Sequence, residues 1–225
     1  MIRSSHTLEP RDCKVFGEPL LYFFYGRPAY RDPDATVPTR DISFYPICFV
    51  FKPGTICRQA KRLYPFDTGA SQEGLYEPAI NRTDALTAYQ VQAVVDNAKR
   101  ITTCFFETRE AYLSGKPRPG LVFTTAENDA ALYYRLINGG GAANCDDRCS
   151  AVEIQIGTAV DLRDDIMAVV LPTCFLDDDA LADTLLKEWR AIPLTYNADI
   201  GMRPIEFHGV IRYLVRKFYQ DSSLI

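Results

Sequence analysis

Apolar and polar positions alternate along this chain in two rhythms, and the switches between them predict its elements. A run rich in aromatic residues predicts a strand over 18–25, and Ile42-Ser43-Phe44-Tyr45-Pro46-Ile47-Cys48-Phe49-Val50-Phe51 predicts a second over 42–52. The stretch between them, from Arg31 to Asp41, has the proline and aspartate content of a loop. Over 84–100, Leu86, Tyr89, Val91, Val94 and Val95 recur at roughly helical spacing. Thr83 or Asp84 can cap that helix, and Lys99 and Arg100 suit the negative end of its dipole. A further helix is predicted over 127–137, stopped by Gly139-Gly140-Gly141. Strands follow over 149–156 and 166–171, the second of them central, then an acid-started helix over 177–190 and an amphipathic helix over 205–219. Helices and strands mix without a regular βαβ rhythm, so the predicted class is α+β.

Composition narrows this picture. A chain of 225 residues with 47% hydrophobic and 24% charged content has the makings of a globular protein, and is read as a single domain over 1–225. The net charge of -4 excludes bulk nucleic-acid binding through a basic face. Local basic clusters remain at Arg58 with Lys61-Arg62, at Lys99-Arg100, and at Arg212 with Arg216-Lys217. The 7 cysteines are odd in number and several sit in apolar contexts, as Cys48, Cys104 and Cys174 do, which fits reduced thiols better than a disulfide framework. No apolar run reaches membrane-spanning length and the N-terminal residues lack the core of a signal peptide, so the expected location is the cytoplasm.

Charged residues in apolar surroundings are the first candidates for chemistry, because burying a charge is costly unless it is paired or used. Arg27 ends the first aromatic run; Pro28 keeps it extended and Gly26 frees the backbone before it. Its planar fork there suits a pyrophosphate, and Tyr22, Tyr25 and Tyr30 can stack on a ring or donate hydroxyls. Against this stands the reading of the tyrosines as core and Arg27 as an ordinary surface charge. Glu153 interrupts Ala151-Val152-Glu153-Ile154-Gln155-Ile156, where alternation puts it with Ala151 and Gln155 on one face. By spacing alone that is the solvent face of a half-buried strand.

Asp67-Thr68-Gly69-Ala70-Ser71 copies the active-site turn of retroviral-type aspartic proteases, in which two such aspartates share a proton. Pro65 interrupts the strand such proteases need before the turn, and the chain holds no second Asp-Thr-Gly, so an ordinary Asp/Gly turn is the simpler explanation. Cys145 and Cys149 have no second Cys/His pair at zinc-like spacing, so no metal is expected. His208 stands alone in the last helix, and Gly139-Gly140-Gly141 lacks the Lys-Ser/Thr of a phosphate-binding loop, reading instead as a hinge before the glutamate strand.

The arginine and glutamate segments resemble the ADP-ribosyltransferase fold, most closely the DarT-type bacterial toxins that modify nucleic acid. Phe24-Tyr25-Gly26-Arg27-Pro28 is similar to that family's Tyr-Phe-x-x-Arg-x-Pro strand, with the proline one place earlier. Arg148-Cys149-Ser150-Ala151-Val152-Glu153-Ile154 is similar to its Arg-x-Ala-Glu-Phe-x-Val strand, with one extra residue before the glutamate, and the apolar run 165–172 matches the strand that follows. The resemblance implies a mixed, largely antiparallel core with flanking helices. It implies NAD as substrate and Glu153 and Arg27 as catalytic residues, with Tyr22, Tyr25, Arg27, Tyr30 and Arg31 holding NAD and Tyr64-Pro65-Phe66-Asp67-Thr68-Gly69 as a loop near the nicotinamide pocket. It further implies a nucleic-acid or protein acceptor, an antitoxin or other system protein as partner, and a toxin or phage-defence setting. The family places a strand bearing His-x-Thr and a helix before the arginine strand; here about eighteen residues precede it, so His6-Thr7 and residues 1–12 read as the tail of a missing N-terminal unit. A degenerate, non-catalytic interaction module of the same fold is the alternative.

Overall fold

Among the described residues (6–29, 31, 33–140 and 146–224), a computed structural model of the chain contains nine strands and several short helices. In chain order the strands are β1 (Thr7–Leu8), β2 (Arg11–Cys13), β3 (Glu18–Phe24), β4 (Cys48–Phe51), β5 (Ala60–Tyr64), β6 (Glu153–Ile156), β7 (Val160–Asp161), β8 (Ile166–Pro172) and β9 (Ile192–Tyr196). Most neighbours are antiparallel, and β8 with β9 is the parallel pair, so the class is α+β as the patterning predicts. The chain divides into two compact units: residues 1–9, 30–56 and 159–225 in one, and residues 10–29 and 57–158 in the other.

The unit that carries Arg27 and Glu153 is built on a sheet of order β2-β3-β6-β5. In β6 the side of Ile154 and Ile156 is buried, as alternation requires, but Glu153 and Gln155 on the opposite side are buried too. The expectation of a solvent face is therefore corrected: β6 is an inner strand with neighbours on both edges, and a turn covers its polar side. An aromatic cluster packs nearby in the same unit. Phe66 meets Tyr76, Tyr89 and Tyr133 at 5.4, 5.2 and 6.3 Å between ring centres, and the Tyr133 hydroxyl donates to Pro65 O at 3.0 Å.

In the other unit, β8 is the middle strand of the order β4-β8-β9, as its apolar run predicts. Ala168 and Val170 pack with Phe207, Ile211, Val215 and Phe218 on one side of it; Val169 and Leu171 pack with Leu185 and Trp189 on the other. Covering both faces with helical segments explains why this strand is apolar throughout.

Several elements differ from the pattern, each for a local reason. Pro46 cannot donate to a ladder, so 42–52 divides into a 3-10 turn over Ile42–Phe44, capped by Asp41, and the strand β4. The helix expected over 84–100 is two helices, Arg82–Ala88 and Val95–Phe105. Between them Val91 N donates to Leu63 O at 2.9 Å, so pairing with β5 replaces helical bonds. The stretch 149–156 begins as a 3-10 turn, Asp147–Ser150, and becomes a strand only at Glu153. The helix expected over 177–190 starts at Asp179 under an Asp178 cap and widens into a π turn over Thr184–Glu188. The helix expected over 127–137 spans Asn128–Ile137 and ends, as its glycines predict, with Gly139 in the left-handed region at φ 77. Gly141 and Cys145 lie outside the described residues.

Candidate functional site

The two segments that stand far apart in sequence meet in one sheet. β3 runs antiparallel to β6, with Phe24 opposite Glu153 and Tyr22 opposite Gln155. One step beyond the ladder, Tyr25 N donates to Val152 O at 2.8 Å. On the other edge of β6, Tyr64 of β5 stands opposite Glu153 and Arg62 opposite Gln155. By strand alternation, Tyr22, Phe24, Glu153, Gln155, Arg62 and Tyr64 therefore share one face.

Glu153 is 1% exposed, and its carboxyl group is held from above and beside. Thr68 donates its backbone N–H to Oε2 at 2.9 Å and its hydroxyl to Oε1 at 2.8 Å, and Gln155 Nε2 donates to Oε1 at 2.7 Å. Gln155 in turn accepts from Arg62 Nη1 at 3.0 Å, and Arg62 forms an ion pair with Glu18, which Lys61 joins. Burial pushes the Glu153 carboxyl up to about 8, with the charge of Asp67 as a second cause, and the three donors work in the opposite direction. The outcome is a carboxylic acid poised to gain or lose its proton near neutrality.

The Asp-Thr-Gly turn is what delivers Thr68. Asp67 is the N-cap of the helix Thr68–Gln72 and accepts from Ala70 N at 2.9 Å, which leaves the Thr68 N–H free to reach Glu153. Gly69 suits this curl, since a Cβ there would stand 3.1 Å from Asp67 Oδ1 and press on that carboxyl group. Asp67 is 8% exposed, and burial raises its pKa against the pull of the Ala70 N–H and of Arg148. Tyr22 is half-buried; its hydroxyl lies 2.7 Å from Cys13 Sγ, and burial, then the Cys13 thiol, and after them the charges of Glu153 and Asp67, raise its pKa.

Arg27 is 2% exposed and ties together three parts of its unit. Nη1 donates to Tyr112 O at 2.8 Å; Nη2 donates to Ser150 Oγ at 3.0 Å and to Asp147 O. The guanidinium lies 5.4 Å from the centre of the Tyr112 ring, while Nε has no hydrogen-bond partner among the described residues. Ser150 lies three residues before Glu153, so Arg27 sets where the glutamate strand begins. Tyr112 completes the join: its hydroxyl donates to Tyr25 O at 2.6 Å and accepts from Val152 N at 3.2 Å.

The structure thus brings together Arg27, Tyr22, Tyr25 and Glu153 in one unit. Tyr25 is half-buried with its ring 6.4 Å from that of Tyr112. Arg31 belongs to the other unit, where its guanidinium meets His208 Nε2, and Tyr30 lies outside the described residues. Gln155, Arg62 and Tyr112 are the contacts that sequence reasoning missed, and the loop 64–69, expected near the pocket, supplies Thr68 as a direct partner of Glu153. Two signals for them were present: the Asp-Thr-Gly turn, and the shared parity of Glu153 and Gln155 in an alternating strand. Among the described residues there is no group of three side chains suited to a metal, and the cysteines there are free thiols. No described helix is long and apolar enough to cross a membrane. No known protein family, no curated protein and no solved structure matches this chain.

Proposed function

We propose that the unit of residues 10–29 and 57–158 is an ADP-ribosyltransferase core that consumes NAD, with Glu153 as its catalytic carboxyl group. The observation that carries the reading is the antiparallel register of β3 and β6, which sets Phe24 beside Glu153. The aromatic arginine strand and the glutamate strand, on which the resemblance rests, are neighbours in one sheet.

The electrostatics favour the same chemistry. A neutral carboxylic acid with a pKa near 8 loses its proton readily when a cation approaches. NAD carries that cation on its nicotinamide ring, and positive charge moves onto the ribose as the bond to nicotinamide breaks. Ionised Glu153 would stabilise that developing charge in a water-poor site. Reaching it requires the Thr68 turn to swing aside, because Thr68 occupies both carboxyl oxygens. Tyr22, opposite Gln155 and half-buried, is the aromatic residue placed to pack the nicotinamide or ribose. Arg27 has the pyrophosphate role in this reading through the N–H of Nε, the guanidinium nitrogen without a hydrogen-bond partner among the described residues.

The acceptor is a nucleic acid or a protein, and a toxin or phage-defence setting with an antitoxin partner follows from the same resemblance. A second reading, a non-catalytic interaction module of this fold, is favoured by one observation: Arg27 and Glu153 are each almost fully buried and hydrogen-bonded internally. The test is transfer of label from adenylate-labelled NAD to DNA, RNA or protein supplied separately. Label that reaches one class with wild type and not with Glu153→Gln is the expected result. NAD binding without any transfer or consumption would favour the module.

A further inference from the structure

The Asp-Thr-Gly turn remains unexplained by a reading that needs only the arginine and glutamate strands, yet it lies against the glutamate. Thr68 is fully buried and gives both of its donors to Glu153, while the residue before it presents a second carboxyl group on the same turn. Glu153 Oε1 accepts from Thr68 and Gln155 and Oε2 from Thr68, so neither oxygen is open to a substrate without rearrangement. Asp67 is the more exposed of the two, at 8% against 1%, and its carboxyl group is held by the Ala70 N–H at 2.9 Å.

We propose that Asp67 is a catalytic residue of the Glu153 site: the general base that takes the proton from the attacking O–H or N–H group. The inference rests on the ADP-ribosyltransferase reading and adds the group that activates the acceptor. The bond between nicotinamide and ribose C1′ breaks with its electron pair going to nicotinamide, which leaves neutral. The acceptor oxygen or nitrogen bonds to C1′ and its proton passes to Asp67, then to solvent. With water as acceptor the balance is NAD⁺ plus H₂O giving ADP-ribose, nicotinamide and H⁺. The proposed division of labour follows their burial: once the Thr68 turn swings aside, Glu153, the deeper carboxyl group, meets the ribose charge, and Asp67, the less buried one, meets the acceptor. Asp67 works among Glu153, Tyr22, Arg148 and Asp146, while Glu153 has Arg62 and Tyr64 of β5 as charged and titratable neighbours on its other side. Ionised Glu153 makes Asp67 a stronger base, and Arg148 opposes that effect.

The experiment compares wild type with Asp67→Asn and Asp67→Ser, following nicotinamide release from NAD across pH, with NAD affinity measured in parallel. Asparagine and serine both cap helices, so these variants keep the turn and lose the base. The expected result is turnover lowered about a hundredfold or more in both, NAD affinity within about threefold of wild type, and retention of the acidic limb that ionisation of Glu153 sets, moved to lower pH because the Asp67 charge no longer raises it. Turnover within about threefold of wild type would overturn the role of Asp67 and leave the NAD reading standing. Absence of NAD consumption by wild type itself would overturn both, and the two failures are thereby distinct.

Discussion

Glu153 carries the energetic conflict of this protein in one side chain: three donors favour its charged form, while burial and Asp67 favour the neutral one. Its pKa is about 8 in the folded state against 4.5 ordinarily, so the folded protein holds a proton that the unfolded chain has released between those values. Glu153 therefore contributes stability fully below about pH 4.5, and that contribution is lost as pH rises through about 8. Replacing it by glutamine removes the dependence. The expected outcome is that the difference in unfolding free energy, wild type minus Glu153→Gln, falls by up to about 1.4 kcal/mol per pH unit between pH 5 and 8, read by urea titration. A flat difference would place the proton elsewhere. Arg27 permits a test of a different kind, because its planar fork serves acceptors on two separate segments. Arg27→Lys keeps the charge and loses the fork, and should cost about 1–3 kcal/mol in the same titration.

At the scale of elements, short pieces are held by caps and clamps more than by their own length. The helix Arg109–Leu113 has five residues, too few to persist alone; Thr108 caps its start at 3.0 Å from Ala111 N, and Arg27 takes the Tyr112 carbonyl near its end. Thr108→Ala should cost about 1 kcal/mol of stability in thermal unfolding, and no change would mean that the cap is dispensable. This dependence on partners explains which elements could be read in advance. β3, β8 and the helix Asn128–Ile137 carry their signal locally, in aromatic runs, apolar runs and terminal glycines. The break at Val91 does not, because it is set by the Leu63 carbonyl, which is distant in sequence. The site divides the same way. Parity placed Glu153 and Gln155 on one face, but only the pairing of β6 with β3 and β5, and the arrival of Thr68, make that face an interior.

At the scale of the molecule, the proposed chemistry belongs to the unit of residues 10–29 and 57–158, which the chain enters, leaves and re-enters. The other unit is built around β8 and has a core rich in aromatic residues of its own. Phe218, 6% exposed in the last helix His208–Asp221, packs into that core, and Phe218→Ala should cost about 3–5 kcal/mol there. Scanning calorimetry would register this as a lower unfolding temperature, and an unchanged one would argue against the packing described. The central claim, that the glutamate strand serves NAD chemistry, is tested most directly by nicotinamide release from NAD by wild type and Glu153→Gln, with water, DNA, RNA or protein as acceptor. The account predicts release by wild type that falls about a hundredfold or more in the variant. Folded wild-type protein that releases no nicotinamide with any acceptor would contradict it.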